Sequence, residues 1–141
     1  MAKASTGYSG TPLPQKLGLK LGARVVALGA PWPYATVVRP LPEGVTVASR
    51  LPKRAGFIHL FVASRADLSR RLPACARALE DSGTLWVSWP KQSSGARTDL
   101  TEDVIRNAAL ALGLVDIKVC AVDETWSGLK LVRRVAERTG R

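Results

Sequence analysis

The stretch FIHLFV, residues 57 to 62, is apolar at both the odd and the even positions of a period-two repeat. Such a strand needs cover on both faces, the situation of an inner strand in a parallel sheet with helices above and below. The residues that follow support that reading. Ser64 stands three residues before Asp67, the spacing of a helix-opening capping box. Leu68, Leu72, Cys75, Ala76 and Leu79 then recur on one helical face. Pro73 has no N–H and restricts Leu72, so a kink or a break into two short helices is predicted there. Asp81-Ser82-Gly83 offers the glycine that commonly ends a helix, and TLWVS (84–88) is a further strand. Strand, helix and strand in succession make a right-handed crossover between parallel strands.

The rest of the chain continues the alternation. TPLPQKLGLKLG (11–22) is a short helical turn broken by Gly18 and Gly22. RVVAL (24–28) is a buried strand closed by Gly29, Pro31 and Pro33. YATVVR (34–39) is an amphipathic, helical connector stopped by Pro40 and Pro42, VTVAS (45–49) is a second strand, and RLPKRAG (50–56) is loop. DLTEDVIRNAALALG (99–113) is a helix with Asp99 and Thr101 as alternative caps and Glu102 and Asp103 in its first turn. Its apolar face is Leu100, Val104, Ile105, Ala108 and Leu112, and Gly113 ends it. VDIKVCAV (115–122) is a fifth strand, DETWSG (123–128) a turn, and LKLVRR (129–134) a sixth strand that alternates as an edge or antiparallel strand does. The predicted fold is α/β: a three-layer sandwich, mostly parallel sheet with a C-terminal antiparallel hairpin. Residues 1–10 are expected to be a flexible N-terminal arm, and residues 11–141 a single α/β domain of ordinary size.

Composition narrows the classes. Hydrophobic residues make up 46% of the chain, which argues against disorder. No apolar run approaches the roughly 18 residues of a membrane span, and the first 20 residues hold no signal-peptide core. A cytoplasmic protein is expected. Cys75 and Cys120 stand far apart in no metal spacing and read as free thiols of a reducing compartment. His59, inside FIHLFV, reads as a core histidine rather than a catalytic one. Net charge is +10, a field that attracts nucleic acid or other polyanions. The charges are dispersed, however, and only the tail LVRRVAERTGR is dense.

Right-handed crossovers bring the carboxyl ends of the parallel strands to one edge of the sheet, where ligands of such folds bind. The loops at that edge are GAPWPY (29–34), ASR (63–65), WPKQSSGARTD (89–99) and, if strand 115–122 is parallel, DETWSG. They carry Trp32, Tyr34, Arg65, Trp89, Lys91, Asp123, Glu124 and Trp126, the candidate residues of a ligand-binding cleft. Trp86, within its strand, reads as core. Three of the four tryptophans fall on this edge, and large aromatics at loop ends often line pockets. Plainer readings stand beside this one: Trp89-Pro90 covering the end of the sheet, Lys91 a solvated loop lysine, Asp123-Glu124 polar turn residues. No catalytic residue and no metal ligand is assigned.

GYSGTPLPQKLGLK (7–20), LWVSWPK with TDLTED (85–91, 98–103) and GLVDIKVCAVDETWSGLKLV (113–132) together resemble a family of short bacterial proteins, common in actinobacteria, classed as a domain of unknown function. That resemblance names no catalytic residue. More distantly, the order of elements is similar to the class I methyltransferase, Rossmann-like fold, which also ends in a strand hairpin. It implies a truncated version, because only a loop joins residue 49 to residue 57 where a further strand–helix unit belongs. It also implies an S-adenosylmethionine loop at VVALGAPWPY, but prolines stand there in place of glycines, and Ser49-Arg50 stand where an acidic residue should hold a ribose.

The expected function is therefore a small α/β binding or regulatory module, non-catalytic and without cofactor, S-adenosylmethionine included. Its ligand would be an anionic small molecule or a protein partner, met by Lys91 and the tryptophans; no membrane is involved. The alternatives are a methyltransferase-related enzyme with a degenerate cofactor loop, and a basic nucleic-acid-associated protein drawing on the charge.

Overall fold

Six β-branched and aromatic runs supply the strands of one sheet in the computed structural model, which describes residues 10–138. The expected N-terminal arm, Gly10 apart, lies outside the described residues. In chain order the elements are α1 (Leu13–Leu17), β1 (Arg24–Leu28), α2 (Tyr34–Val37), β2 (Thr46–Ala48), β3 (Ala55–Phe61), α3 (Arg65–Ala78), β4 (Leu79–Pro90), α4 (Glu102–Leu110), β5 (Leu114–Ala121) and β6 (Trp126–Arg133). The sheet order is β2-β1-β3-β4-β6-β5. The first four strands in that order are mutually parallel, and β6 runs antiparallel to both β4 and β5. The last strand thus sits inside the sheet, and β5 is the edge.

The two-sided pattern of β3 is explained by its neighbours. Ile58, Leu60 and Val62 join Leu85, Val87 and Trp89 of β4 in a cluster with α3 and α4, including Leu68, Leu72, Ile105 and Ala109. Phe57 and Phe61 face the other way and pack with Trp86, Leu13, Leu17, Tyr34 and Val38 beneath α1 and α2. Each such fully buried apolar side chain contributes about 1.5–3 kcal/mol. Trp86 also donates from Nε1 to the Leu17 carbonyl at 3.0 Å, tying α1 across the sheet.

Capping follows the sequence where the partner is local. Ser64 Oγ accepts from the Asp67 N–H at 3.1 Å, and Thr101 Oγ1, not Asp99, accepts from the Val104 N–H at 3.2 Å. Two expectations fail where the partner is distant. First, the break into two short helices does not occur: α3 is one helix through Pro73. The carbonyl that Pro73 leaves without a helical donor belongs to Ser69, an exposed residue at which solvent can stand in for the N–H. Second, Asp81-Ser82-Gly83 does not end the helix: α3 stops at Ala78 and β4 begins at once. The terminal carbonyls of α3 are taken by Arg133 of β6, whose Nη2 donates to both Ala76 O and Leu79 O at 2.6 Å. Residues 80–83 instead form a wide bulge, since Ala55 pairs with Leu79 but Phe57 pairs with Thr84.

No helix joins β2 to β3. Ser49 to Arg54 recross the sheet on the α3 side, with Leu51 packed against that cluster. Six residues reach at most about 20 Å, and this connector makes the return with bends at Ser49-Arg50 and Lys53-Arg54. A strand–helix unit of the fold is replaced by a bare strap. Among the described residues no helix is long and apolar enough to cross a membrane.

Candidate functional site

Period-two alternation along β3 and β4 sets His59 and Phe61 beside Trp86 and Ser88 on the face covered by α1 and α2. His59 and Ser88 are fully buried. The imidazole is hydrogen-bonded at both nitrogens: Nδ1 is 2.8 Å from Tyr34 Oη and Nε2 is 2.7 Å from Ser88 Oγ. Burial pulls the His59 pKa down to about 3, so the ring is neutral and carries one proton. One hydroxyl therefore donates to the ring and the other accepts from it. Burial likewise pushes the Tyr34 phenol well above its ordinary value. His59 and Ser88 are fully buried and Tyr34 nearly so, the setting of a core histidine.

From this chain the aromatics step outward to the carboxyl edge of the sheet. The His59 and Phe61 rings stack at 4.3 Å. Trp32, from the loop after β1, meets Phe61 edge-on at 5.3 Å, and Trp126, at the start of β6, does so at 5.4 Å. Both tryptophans are half-buried. Beside Trp126, the Lys91 N–H donates to Thr125 O at 2.9 Å and Lys91 Nζ to Asp123 O at 3.2 Å. The Asp123 carboxylate accepts from the Thr125 and Trp126 N–H groups at 2.8 and 2.7 Å, closing the hairpin turn. Glu124 is exposed at its tip.

Of the eight residues expected to converge, the structure brings together Trp32, Tyr34 and Trp126 around Phe61, with Asp123 and Glu124 on the hairpin alongside and Lys91, just past β4, bonded to it. Trp89 is separate: β4 extends to Pro90, and Trp89 points to the α3/α4 core with 5% of its surface exposed. Arg65 is separate too. Its N–H donates to Asp99 Oδ1 at 2.8 Å and its Nε to Asp99 O at 3.1 Å, clamping the loop before α4 onto the start of α3. Phe61 and the Tyr34–His59–Ser88 chain were not singled out in the sequence. The signal was available: two polar residues on neighbouring strands, both in phase with the aromatic face.

The residues of the loop after β1 do not fit the S-adenosylmethionine site of the methyltransferase fold. Gly29 has φ +73°, as a phosphate or cofactor loop would, but its open side faces the protein: a Cβ there would stand 2.8 Å from Phe61 O. The close approach that glycine permits is made to β3. Pro31, Trp32 and Pro33 follow, and exposed Ser49 and Arg50 stand at the end of β2 in place of an acid. Gly29→Ala is expected to lose about 2 kcal/mol or more in a thermal melt, from strain and contact together. Gly95→Ala, also at positive φ (+82°) but with nothing within 4 Å, should lose about half as much. Equal losses would mean that the contact with Phe61 is immaterial.

The α/β fold is shared with solved structures. The chain is similar to LepI, solved as a cysteine variant in complex with SAH and a substrate analogue, with a TM-score of 0.53, 12% identity, and coverage of 92% of this chain and 41% of that one. It is also similar to a protein from Sulfolobus solfataricus assigned to the type 11 methyltransferases, with a TM-score of 0.47, 16% identity, and coverage of 70% of this chain and 63% of that one. The chain thus spans less than two thirds of either structure. No curated protein matches the sequence. Residues 58–135, from β3 to just past β6, match the model of the family "Protein of unknown function (DUF3052)", and the chain belongs to that family.

Proposed function

We propose that the protein is a non-catalytic binding module that takes a flat, anionic small molecule at the carboxyl edge of its sheet. The observation that carries this reading is the pair of half-buried tryptophans, Trp32 and Trp126, set on Phe61 at the strand ends. Indole faces at a strand-end edge suit stacking of a planar group. Lys91 lies beside Trp126 and supplies the charge for an anion. Against catalysis stands the state of the titratable groups: His59 is buried and neutral, and Asp123 is committed to the turn. The mismatch at Gly29 disfavours a methyl donor, although LepI was solved with SAH.

The test is a thermal melt, followed by tryptophan fluorescence, with ATP, NAD, S-adenosylmethionine and S-adenosylhomocysteine each in large excess. A ligand at about 100 times its Kd stabilises by about 2.7 kcal/mol, a rise of several degrees. A rise with ATP or NAD, absent in Trp126→Ala and in Lys91→Ala, is the expected result. A rise confined to the two adenosyl compounds would replace this reading with an enzyme of altered cofactor loop. No rise with any of the four would overturn the site.

A further inference from the structure

The opposite, amino edge of the sheet holds a cavity of 240 Å³ beside the strap that replaces the missing helix. Buried Val26 and Ala55 form its apolar lining, together with exposed Pro52, Arg24 and Arg54 and half-buried Glu80. Each charge is placed by a feature of the fold. Arg24 opens β1, and Arg54 ends the strap just before β3. Glu80 is the first residue of the bulge in β4, and it leans over Gly56, where a Cβ would come within 3.2 Å of its carboxylate. Among the described residues, Arg24, Arg54 and Glu80 form no ion pair or hydrogen bond through their side chains with other residues. Arg24 and Arg54 are exposed and Glu80 is half-buried, so the three charges face solvent around one small open cavity, where a ligand of matching charge can take water's place.

We propose that this cavity binds a small dicarboxylate that also carries an ammonium, the chemistry of an acidic amino acid. Two guanidiniums match two carboxylates, the Glu80 carboxylate matches the ammonium, and the apolar lining takes the methylenes between. The net charges, +1 for the cavity and −1 for the ligand, are opposed. An inorganic dianion would satisfy the arginines but would meet repulsion from Glu80. This site is independent of the aromatic edge.

The experiment follows the backbone amides of the intact protein by NMR during titration with L-glutamate, with glutarate, and with inorganic phosphate. Glutarate keeps both carboxylates and lacks the ammonium. L-glutamate is expected to give saturable shifts at Arg54, Gly56 and Glu80, with glutarate weaker by about tenfold. Glu80→Gln should bring the two ligands to similar affinity, and Arg24→Met with Arg54→Met should abolish both. Both arginines are exposed, so unchanged melting confirms that the variant is folded. Absence of saturable shifts, equal shifts from phosphate and L-glutamate, or unchanged binding in the double arginine variant would each overturn the proposal. Should the variants not fold, the preference for L-glutamate over glutarate in the unaltered protein decides the matter alone.

Discussion

Lowering the pH from 6.5 to 5 is expected to remove about 2 kcal/mol of stability through His59 alone. In the folded protein burial holds the His59 pKa at about 3, against 6.5 for the free side chain. Between those values the unfolded chain binds a proton that the folded chain does not. Stability therefore rises with pH across this window, is complete above 6.5, and falls by about 1.4 kcal/mol for each pH unit below it. The loss stops growing only as the pH nears 3, where the carboxylates are titrating as well. Denaturant unfolding at pH 7.5, 6 and 5 measures the slope. His59→Gln should be less stable at pH 7.5 by about 1–3 kcal/mol, through hydroxyls left without a ring partner, yet should lose the slope between 6.5 and 5. Tyr34→Phe and Ser88→Ala each remove one hydrogen bond while leaving a buried imidazole, so both should keep the slope. A His59→Gln protein with the full slope would show that His59 is not the proton-binding group.

Arg133→Met is expected to cost about 3–5 kcal/mol, the range for removing one member of a buried charged network, which lowers the melting temperature by about 10 °C or more. The guanidinium is almost fully buried; besides its Nη2 bonds to α3, its Nε donates to Leu79 O at 3.1 Å. It also pairs with Asp81 Oδ1 at 3.7 Å. Methionine fills the volume but returns none of these contacts, leaving the end of α3 uncapped and Asp81 without this ion pair. Adding Asp81→Leu should recover part of the loss, because the charge left behind is then gone. A single variant within about 1 kcal/mol of the parent would mean that water reaches the α3 terminus and caps it.

These two residues mark the boundary of what was legible in the sequence. All six strands and both long helices could be read from periodicity, because each depends on residues within one turn or one pleat. So could the edge on which the loops gather. The end of α3 could not be read, because its cap is supplied by Arg133, more than 50 positions away in sequence. With that cap in place no glycine is needed, and the segment 81–83 is free to bulge. Trp89 was misread for a related reason: Pro90 suggested the end of the strand, yet β4 continues because Pro90 pairs with Trp126 of β6. Within the candidate site, Trp32, Lys91 and Trp126 were found by counting loops. Phe61, the ring on which both tryptophans rest, was hidden in a run that looked like uniform core.

The interior position of β6 also sets an order of events during synthesis. The ribosome releases β4 and β5 before the strand that belongs between them, and a chain halted ahead of Trp126 has no partner for either facing edge. Both facing edges must then wait, and until β6 arrives neither the α3 terminus nor the hairpin turn beside Trp126 can close. Released fragments ending at residue 125 should therefore be digested readily by protease while fragments that extend past residue 134 resist.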